Sequence, residues 1–277
     1  MPVREVSWLT ARLHELGFDA FEERSLAGGR CLVIYDHSAA VLERVQRELA
    51  FCAREREPEL RLQFELSEPD PSWSSKWTEH LVPVQLTATL SLIPSAAPAE
   101  LEPGNLYLAP AFAFGFGEHA STRLIASWLE GYCRASPGAS VLDVGSGTGV
   151  LSLVAKRNGA GRVLGLDTSE AALEAARSNA LSNRISGVEF ASVPLAEIAE
   201  RFDCVVANIE APVLSALGAA LCEKLNPAGA LALTGFIAEQ VAPLQRCFGE
   251  LGLALECAER EGDWCLLVKG KRQPQSS

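Results

Sequence analysis

Two kinds of apolar spacing alternate along this 277-residue chain, and the pattern changes near its middle. In the first part, Val6, Leu9, Leu13 and Leu16 recur at helical spacing, and Gly17 supplies a stop. Cys31 to Tyr35 reads as a short strand. Ala39 to Phe51 reads as an amphipathic helix with Val41, Leu42, Val45 and Leu49 on its apolar face. Leu60, Leu62, Phe64 and Leu66 alternate with polar residues, which predicts a strand with one buried face. Residues 1–66 are therefore expected to form a small α+β domain. Ser67-Glu-Pro-Asp-Pro-Ser-Trp73 is a polar, proline-bearing turn, Trp73 to His80 a short helix, and Pro94 to Pro103 a loop rich in Ala and Pro. The region 67–103 is thus expected to link two domains.

Residues 104–277 are expected to form the larger domain. Leu124 to Tyr132 reads as a helix. From about Ser140, short apolar runs alternate with helical stretches. Strands are predicted at Val141–Val144, Arg162–Asp167, Val188–Phe190, Asp203–Asn208, Ala230–Thr234, Leu253–Ala258 and Trp264–Val268. Helices are predicted at about 149–158, 169–182, 212–225 and 237–250. This alternation implies an α/β fold whose mostly parallel sheet is covered on both faces. Only Glu259-Arg-Glu-Gly-Asp263 separates the last two strands. That is a hairpin length, so one strand is expected to run antiparallel. Lys269 to Ser277 is a polar tail, expected to fray.

Composition narrows the function. Apolar residues make up 48% of the chain, enough for a sizeable core. The formal net charge is −11, with no basic stripe to neutralise phosphates, which argues against direct nucleic-acid binding. An acidic surface suits a basic protein partner, although most such surfaces serve solubility. No apolar run of about 18 residues suggests a membrane span, and Met1-Pro-Val-Arg-Glu-Val lacks the apolar core of a signal peptide. None of the eight cysteines forms a C-x-x-C pair or stands beside a histidine at metal-ligand spacing. They read as buried reduced thiols in a cytoplasmic protein, and no metal site is expected.

The strongest local signal is Val141-Leu-Asp-Val-Gly-Ser-Gly-Thr-Gly149, a strand, a glycine turn and a helix start. Glycines permit a sharp turn and close approach to a ligand. The free N–H groups of a helix N-terminus favour anionic groups. Such a crevice accepts either a dinucleotide pyrophosphate or the methionine part of S-adenosylmethionine. A dinucleotide fingerprint reads G-x-G-x-x-G. The spacing here is Gly145-x-Gly147-x-Gly149, with Asp143 two residues before the first glycine, which leans towards the second ligand.

Asp167 follows Gly145 by 22 residues and ends the next strand. A carboxylate there can accept two ribose hydroxyls, or serve only as a helix cap. Ser169 is a candidate cap for the helix after it. Asn208 ends a buried apolar strand at the open edge of the sheet, where its amide requires partners. Ala113-Phe-Gly-Phe-Gly-Glu-His-Ala-Ser-Thr122 packs aromatics, glycines, a histidine and hydroxyls just ahead of a helix, as a shaped loop would. Thr122 is either a ligand contact or the cap of that helix. His119 reads first as a loop histidine with a structural hydrogen bond.

Taken in order, these motifs resemble the bacterial methyltransferases that modify ribosomal stalk protein L11. Pro69-Asp-Pro-Ser-Trp73, Lys76-Trp77 and Leu81-Val-Pro83 are similar to that family's Trp-containing linker. Ala113 to Thr122 resembles its F-G-T-G-T-H-P-T-T loop. Asp143 to Gly149, Asp167 and Asn208-Ile-Glu-Ala-Pro212 match its cofactor motifs. Thr234-Gly-Phe-Ile and Gly262-Asp-Trp-Cys265 match its last strands. The resemblance covers about residues 69–270.

It implies a class I methyltransferase domain, Rossmann-like, with seven strands of which one is antiparallel. It also implies S-adenosylmethionine contacts at Thr122, Gly145, Asp167 and Asn208, to which the glycine motif adds Asp143 and Gly147. The implied activity is methylation of lysine side chains or an α-amino group on a basic ribosomal protein. In that setting Phe114 and Phe116 would line an apolar pocket for the amine, and Asn208 would aim it. Phe116 and Glu118 stand where the family has threonines, and Ala120-Ser121 replaces Pro-Thr. The stretch after Asn208 lacks the family's glycine, and the N-terminal unit begins at a helix where the family has a strand. Three other readings share parts of the pattern: the same fold acting on another protein or a small molecule, a non-catalytic S-adenosylmethionine-binding module, and a nicotinamide oxidoreductase. Glycine spacing and the 113–122 loop disfavour the last.

Overall fold

A computed structural model describes residues 21–26, 29–34, 45–50, 83–95, 98, 100–109 and 119–269. The chain divides into two compact units, Met1–Pro69 and Asp70–Ser277. In the first, β1 (Phe21–Leu26) pairs antiparallel with β2 (Gly29–Ile34), in register from Phe21 against Ile34 to Leu26 against Gly29. β2 lies where a strand is expected. β1 is not legible in the sequence, because Glu22, Glu23 and Arg24 interrupt any apolar alternation. Residues 45–50 are helical, with Val45 and Leu49 buried on one face as their spacing predicts. The helices expected at Val6–Leu16 and Trp73–His80, and the strand at Leu60–Leu66, lie outside the described residues.

The second unit opens with a three-stranded sheet in the order β3 (Val84–Gln85), β4 (Ser91–Pro94), β5 (Asn105–Leu108). β3 and β4 are antiparallel; β4 and β5 are parallel. Much of this sheet falls in the stretch expected to be a linker. Its strands are too short and too interspersed with Pro, Ser and Ala to show a period. Yet Leu86, Leu90, Leu92, Leu106 and Leu108 are all buried in one core cluster.

The main sheet has seven strands in the order β11-β12-β10-β9-β6-β7-β8. These are β6 (Val141–Val144), β7 (Val163–Leu166), β8 (Val188–Ala191), β9 (Phe202–Asn208), β10 (Leu225–Thr234), β11 (Glu256–Glu261) and β12 (Trp264–Lys269). β12 pairs antiparallel with both neighbours, and every other pairing in the sheet is parallel. The expected single antiparallel strand is present.

Five helices accompany it: α1 (Ala120–Ala135), α2 (Val150–Arg157), α3 (Glu170–Ser182), α4 (Ala211–Glu223) and α5 (Ala238–Glu250). The inner strands β6, β7, β9, β10 and β12 are largely apolar because both faces are covered, whereas the edge strands β8 and β11 are partly exposed and carry charged residues. Val141, Cys204, Val206 and Ala232 enter the cluster that holds α1 and α2. Their neighbours Leu142, Val205, Leu231 and Leu233 enter the opposite cluster, which holds α4 and α5.

Three elements differ from expectation by three residues or more. α1 starts at Ala120 rather than Leu124, so Ser121 and Thr122 lie in its first turn. β10 begins at Leu225, and its register shifts between Leu225 and Ala230 across Asn226-Pro-Ala-Gly229, which reads as a turn. β11 begins at Glu256, three residues late, because Leu255 is buried in the core ahead of the edge strand. The cysteines also divide. Cys133, Cys204 and Cys265 are buried and reduced, whereas Cys222 and Cys247 are half-buried and Cys257 is exposed on the edge strand β11. The side chains of Cys31 and Cys52 lie outside the described residues. No helix among the described residues is long and apolar enough to cross a membrane.

Candidate functional site

Strand order decides where a ligand can sit. The chain runs from β6 outward to β7 and β8, then crosses back to β9 on the other side of β6. The carboxyl ends of β6 and β9 border a crevice at this switch point. The glycine loop 145–149 leaves β6 there, with Asp167 just beyond β7 on one side and Asn208 at the end of β9 on the other.

The loop requires its glycines. Gly145, Gly147 and Gly149 have φ of 76°, 52° and 81°, in the left-handed region that costs other residues strain. A Cβ on Gly145 would stand 2.4 Å from Ile209 Cγ2, and one on Gly149 would stand 2.9 Å from the Phe190 ring. The Gly145 and Ser146 amides both donate to the Leu166 carbonyl, at 2.8 and 2.9 Å, which ties the loop to β7.

Asp143 is fully buried below this loop. Its Oδ2 accepts the Ser152 amide at 3.0 Å and the Ser152 hydroxyl at 2.7 Å. Among the described residues its Oδ1 has no partner, and neither does the buried Ser146 hydroxyl. Burial pushes the Asp143 carboxyl up to about 6, against the pull of the two Ser152 bonds, and the nearby Asp167 charge adds to the rise. Buried polar atoms are nearly always satisfied in folded proteins. Two unsatisfied ones at one loop make it a candidate site for a polar ligand.

Asp167 has two structural roles. Its Oδ2 accepts the Gly147 amide at 2.8 Å, bracing the glycine loop, and its Oδ1 accepts the Ser169 amide at 2.9 Å. The cap of α3 is Ser169, whose hydroxyl accepts the Ala172 amide at 3.3 Å, as expected. Asp167 is thus more than a cap. It is half-buried, and each carboxylate oxygen keeps a lone pair beyond the amide it accepts.

Asn208 and Thr122, 86 residues apart, meet: the Asn208 Nδ2 donates to the Thr122 Oγ1 at 3.2 Å. Thr122 is buried, and it is not the helix cap. That position belongs to His119, whose side chain makes no capping bond. His119 instead bonds Ser121 through Nδ1 at 2.7 Å and stands edge-on to Trp264, with ring centroids 4.1 Å apart. Phe114 and Phe116 lie outside the described residues. Among the described residues no three of His, Cys, Asp and Glu converge as metal ligands.

Sequence reasoning missed Asn179 of α3 and Asn183 at its C-terminal cap, which are 0% and 3% exposed. The signal was present: Asn179 continues the buried stripe of Ala172, Leu173 and Ala176, where an amide demands a partner.

The family model for ribosomal protein L11 methyltransferase (PrmA) matches residues 15–272. A ribosomal protein L11 methyltransferase of Geobacter sulfurreducens is 39% identical over 201 residues, 72% of this chain and 66% of that protein. One of Chromohalobacter salexigens is 37% identical over 226 residues, 80% of this chain and 74% of that protein. A solved ribosomal protein L11 methylase of Lactobacillus delbrueckii subsp. bulgaricus superposes with a TM-score of 0.60 at 29% identity, over 69% of this chain and 99% of that one. The sheet, with its single antiparallel strand, is that of a class I methyltransferase. With matched positions running from residue 15 to 272, the chain belongs to the ribosomal protein L11 methyltransferase (PrmA) family.

Proposed function

We propose that this protein transfers methyl groups from S-adenosylmethionine to lysine side chains or the α-amino group of ribosomal protein L11. The observation that carries this reading is the contact of Asn208 with Thr122 beside a glycine loop that holds two unsatisfied buried oxygens. The alignment with the Geobacter sulfurreducens relative spans about two thirds of that protein, so its full activity is inferred from the shared site.

The residues present fit the cofactor. Asp143 Oδ1 is an acceptor for an ammonium group, Ser146 is a hydroxyl partner, and Asp167 retains lone pairs for ribose hydroxyls. When bound, S-adenosylmethionine supplies an electrophilic methyl group on a sulfonium. The protein's own work is then orientation and proton control, and orientation alone is worth roughly 7–11 kcal/mol in favourable cases.

A lysine amine has an ordinary pKa of about 10.4 and must lose its proton before it attacks. Desolvation lowers that pKa, and Phe114 and Phe116 are the residues we assign to an apolar amine pocket. With the Asn208 Nδ2 turned to the Thr122 hydroxyl, we assign its Oδ1 to accept amine hydrogens and aim the lone pair. The net charge of −11 favours encounter with a basic ribosomal protein. We assign the protein to the cytoplasm on the same reading.

The test is incubation with methyl-labelled S-adenosylmethionine and unmodified large-subunit ribosomal proteins, followed by mass identification of the labelled product. Label on L11 amines supports the proposal. Label on another protein keeps the chemistry and discards the substrate, and absence of label on every amine substrate overturns the reading.

A further inference from the structure

Two buried asparagines, Asn179 of α3 and Asn183 at its C-terminal cap, take no part in the chemistry above. They stand one helical turn apart on the same face. Asn183 accepts the Tyr107 amide at 2.8 Å, and its Nδ2 donates to the Tyr107 carbonyl at 2.6 Å and to the Asn179 carbonyl at 2.7 Å. It satisfies the edge of β5 that no other described strand pairs. A buried strand edge requires such partners, so packing alone accounts for Asn183.

Asn179 does something different. Its Oδ1 accepts the Ala109 amide at 2.8 Å, and its Nδ2 donates to the Thr148 carbonyl at 3.0 Å. Ala109 is the last described residue before the segment leading to Phe114, Phe116 and Thr122. Thr148 lies inside the glycine loop. One side chain therefore joins the glycine loop to the end of β5, two segments far apart in sequence. The amide works in one orientation only: flipped, it would set its NH2 against the Ala109 N–H and its oxygen against the Thr148 carbonyl. Alanine supplies neither bond, and aspartate keeps the acceptor but loses the donor.

We propose that Asn179 is a positioning residue for methyl transfer, a strut that fixes the glycine loop relative to the end of β5 from which the aromatic segment departs. This rests on the function proposed above. The strut acts through Thr148 and Ala109 and touches no reacting atom. It makes cofactor binding and the order of Ala109 interdependent, and such coupling is reciprocal.

The test uses the full chain and S-adenosylhomocysteine. Calorimetry compares wild type with Asn179→Ala and Asn183→Ala at a temperature where circular dichroism shows all three folded. Each variant loses a buried amide from the same helix, so a merely structural role would affect both alike. The strut predicts a Kd about tenfold weaker for Asn179→Ala and within about twofold of wild type for Asn183→Ala, an ordinary size for coupled sites. Equal effects in the two variants, or an unchanged Kd in Asn179→Ala, would overturn it. Wild type that binds no S-adenosylhomocysteine would remove the proposed function and the strut together. Wild type that binds, with equal variants, would remove the strut alone. Should Asn179→Ala fail to fold, hydrogen exchange on wild type decides. The strut predicts that S-adenosylhomocysteine slows exchange of the Ala109 amide, and an unchanged rate contradicts it.

Discussion

Asp203 and Asp143 stand on adjacent strands of one sheet, near opposite ends, and their carboxyl groups live in opposite circumstances. At the amino end of β9, Asp203 Oδ2 accepts the Ser140 amide at 2.9 Å and its hydroxyl at 2.8 Å, and Oδ1 accepts the Asn226 amide at 2.8 Å. The two Ser140 bonds, then that of Asn226, hold its carboxyl below the usual carboxylate range. Asp143, below the glycine loop, has one satisfied oxygen and one without a partner among the described residues, and burial lifts its carboxyl to about 6. The fold closes one end of the sheet on itself and leaves the other end with unmet polar capacity. Such capacity is costly to keep unless a ligand uses it.

Substitution at the two ends of β9 sharpens this contrast most. Asn208→Ala is expected to lower methyl transfer by about 100-fold or more, the scale of misplacing a reactant, with little change in melting temperature. Asp203→Ala is expected to do the reverse. It strips three donors of their acceptor, lowering stability by about 1–3 kcal/mol and the melting temperature by several degrees, while turnover stays near normal. Assays of both variants for rate and melting temperature check the pair, and equal behaviour would break the comparison.

Gly145→Ala comes next. Its φ of 76° and the 2.4 Å approach to Ile209 Cγ2 force the loop or the residue after Asn208 to move. Calorimetry should show cofactor affinity reduced about tenfold or more, a loss of about 1.4 kcal/mol.

The pH response follows. Below about pH 4 the Asp143 carboxyl is protonated in both the folded and the unfolded chain. Between about 4 and 6 the folded chain still holds a proton that the unfolded chain has released. Its contribution therefore favours the fold at low pH and is lost as pH rises through that window, by on the order of a few kcal/mol. Asp203 works in the opposite sense, losing its contribution only as pH falls below its ordinary value of 3.8. Melting curves of Asp143→Asn against wild type between pH 4 and 6 should differ in slope accordingly. An ammonium beside Oδ1 favours the ionised form, so cofactor affinity should rise across the same window. The smallest effect belongs to a satisfied surface group: Arg162→Ala breaks exposed pairs with Glu200 and Glu189 and should shift the melting temperature by no more than about 2 °C.

The main sheet was legible because its inner strands, buried on both faces, are apolar runs mostly separated by well-marked helices. The placement of the glycine loop, Asp167 and Asn208 at the carboxyl ends of neighbouring strands was legible because backbone conformation and sheet topology dictate where those points fall. The three-stranded sheet was not, since strands of two to four residues carry too few apolar positions to show a period. The roles of Asn179 and Asp203 were also hidden. Each depends on partners more than 20 residues away in sequence, such as Ala109 and Ser140, which no local pattern reveals. Thr122 was half legible. Its place ahead of a helix left a ligand contact or a cap open; the helix starts earlier, so Thr122 is not the cap, and its side chain turns towards Asn208.

The most direct test of the central claim is a crystal structure of the protein with S-adenosylhomocysteine. The account predicts the ligand over the 145–149 loop between Asp167 and Asn208, its ammonium within hydrogen-bond distance of Asp143 Oδ1 or the Ser146 hydroxyl. A ligand bound elsewhere, with both oxygens still unmet, would contradict it.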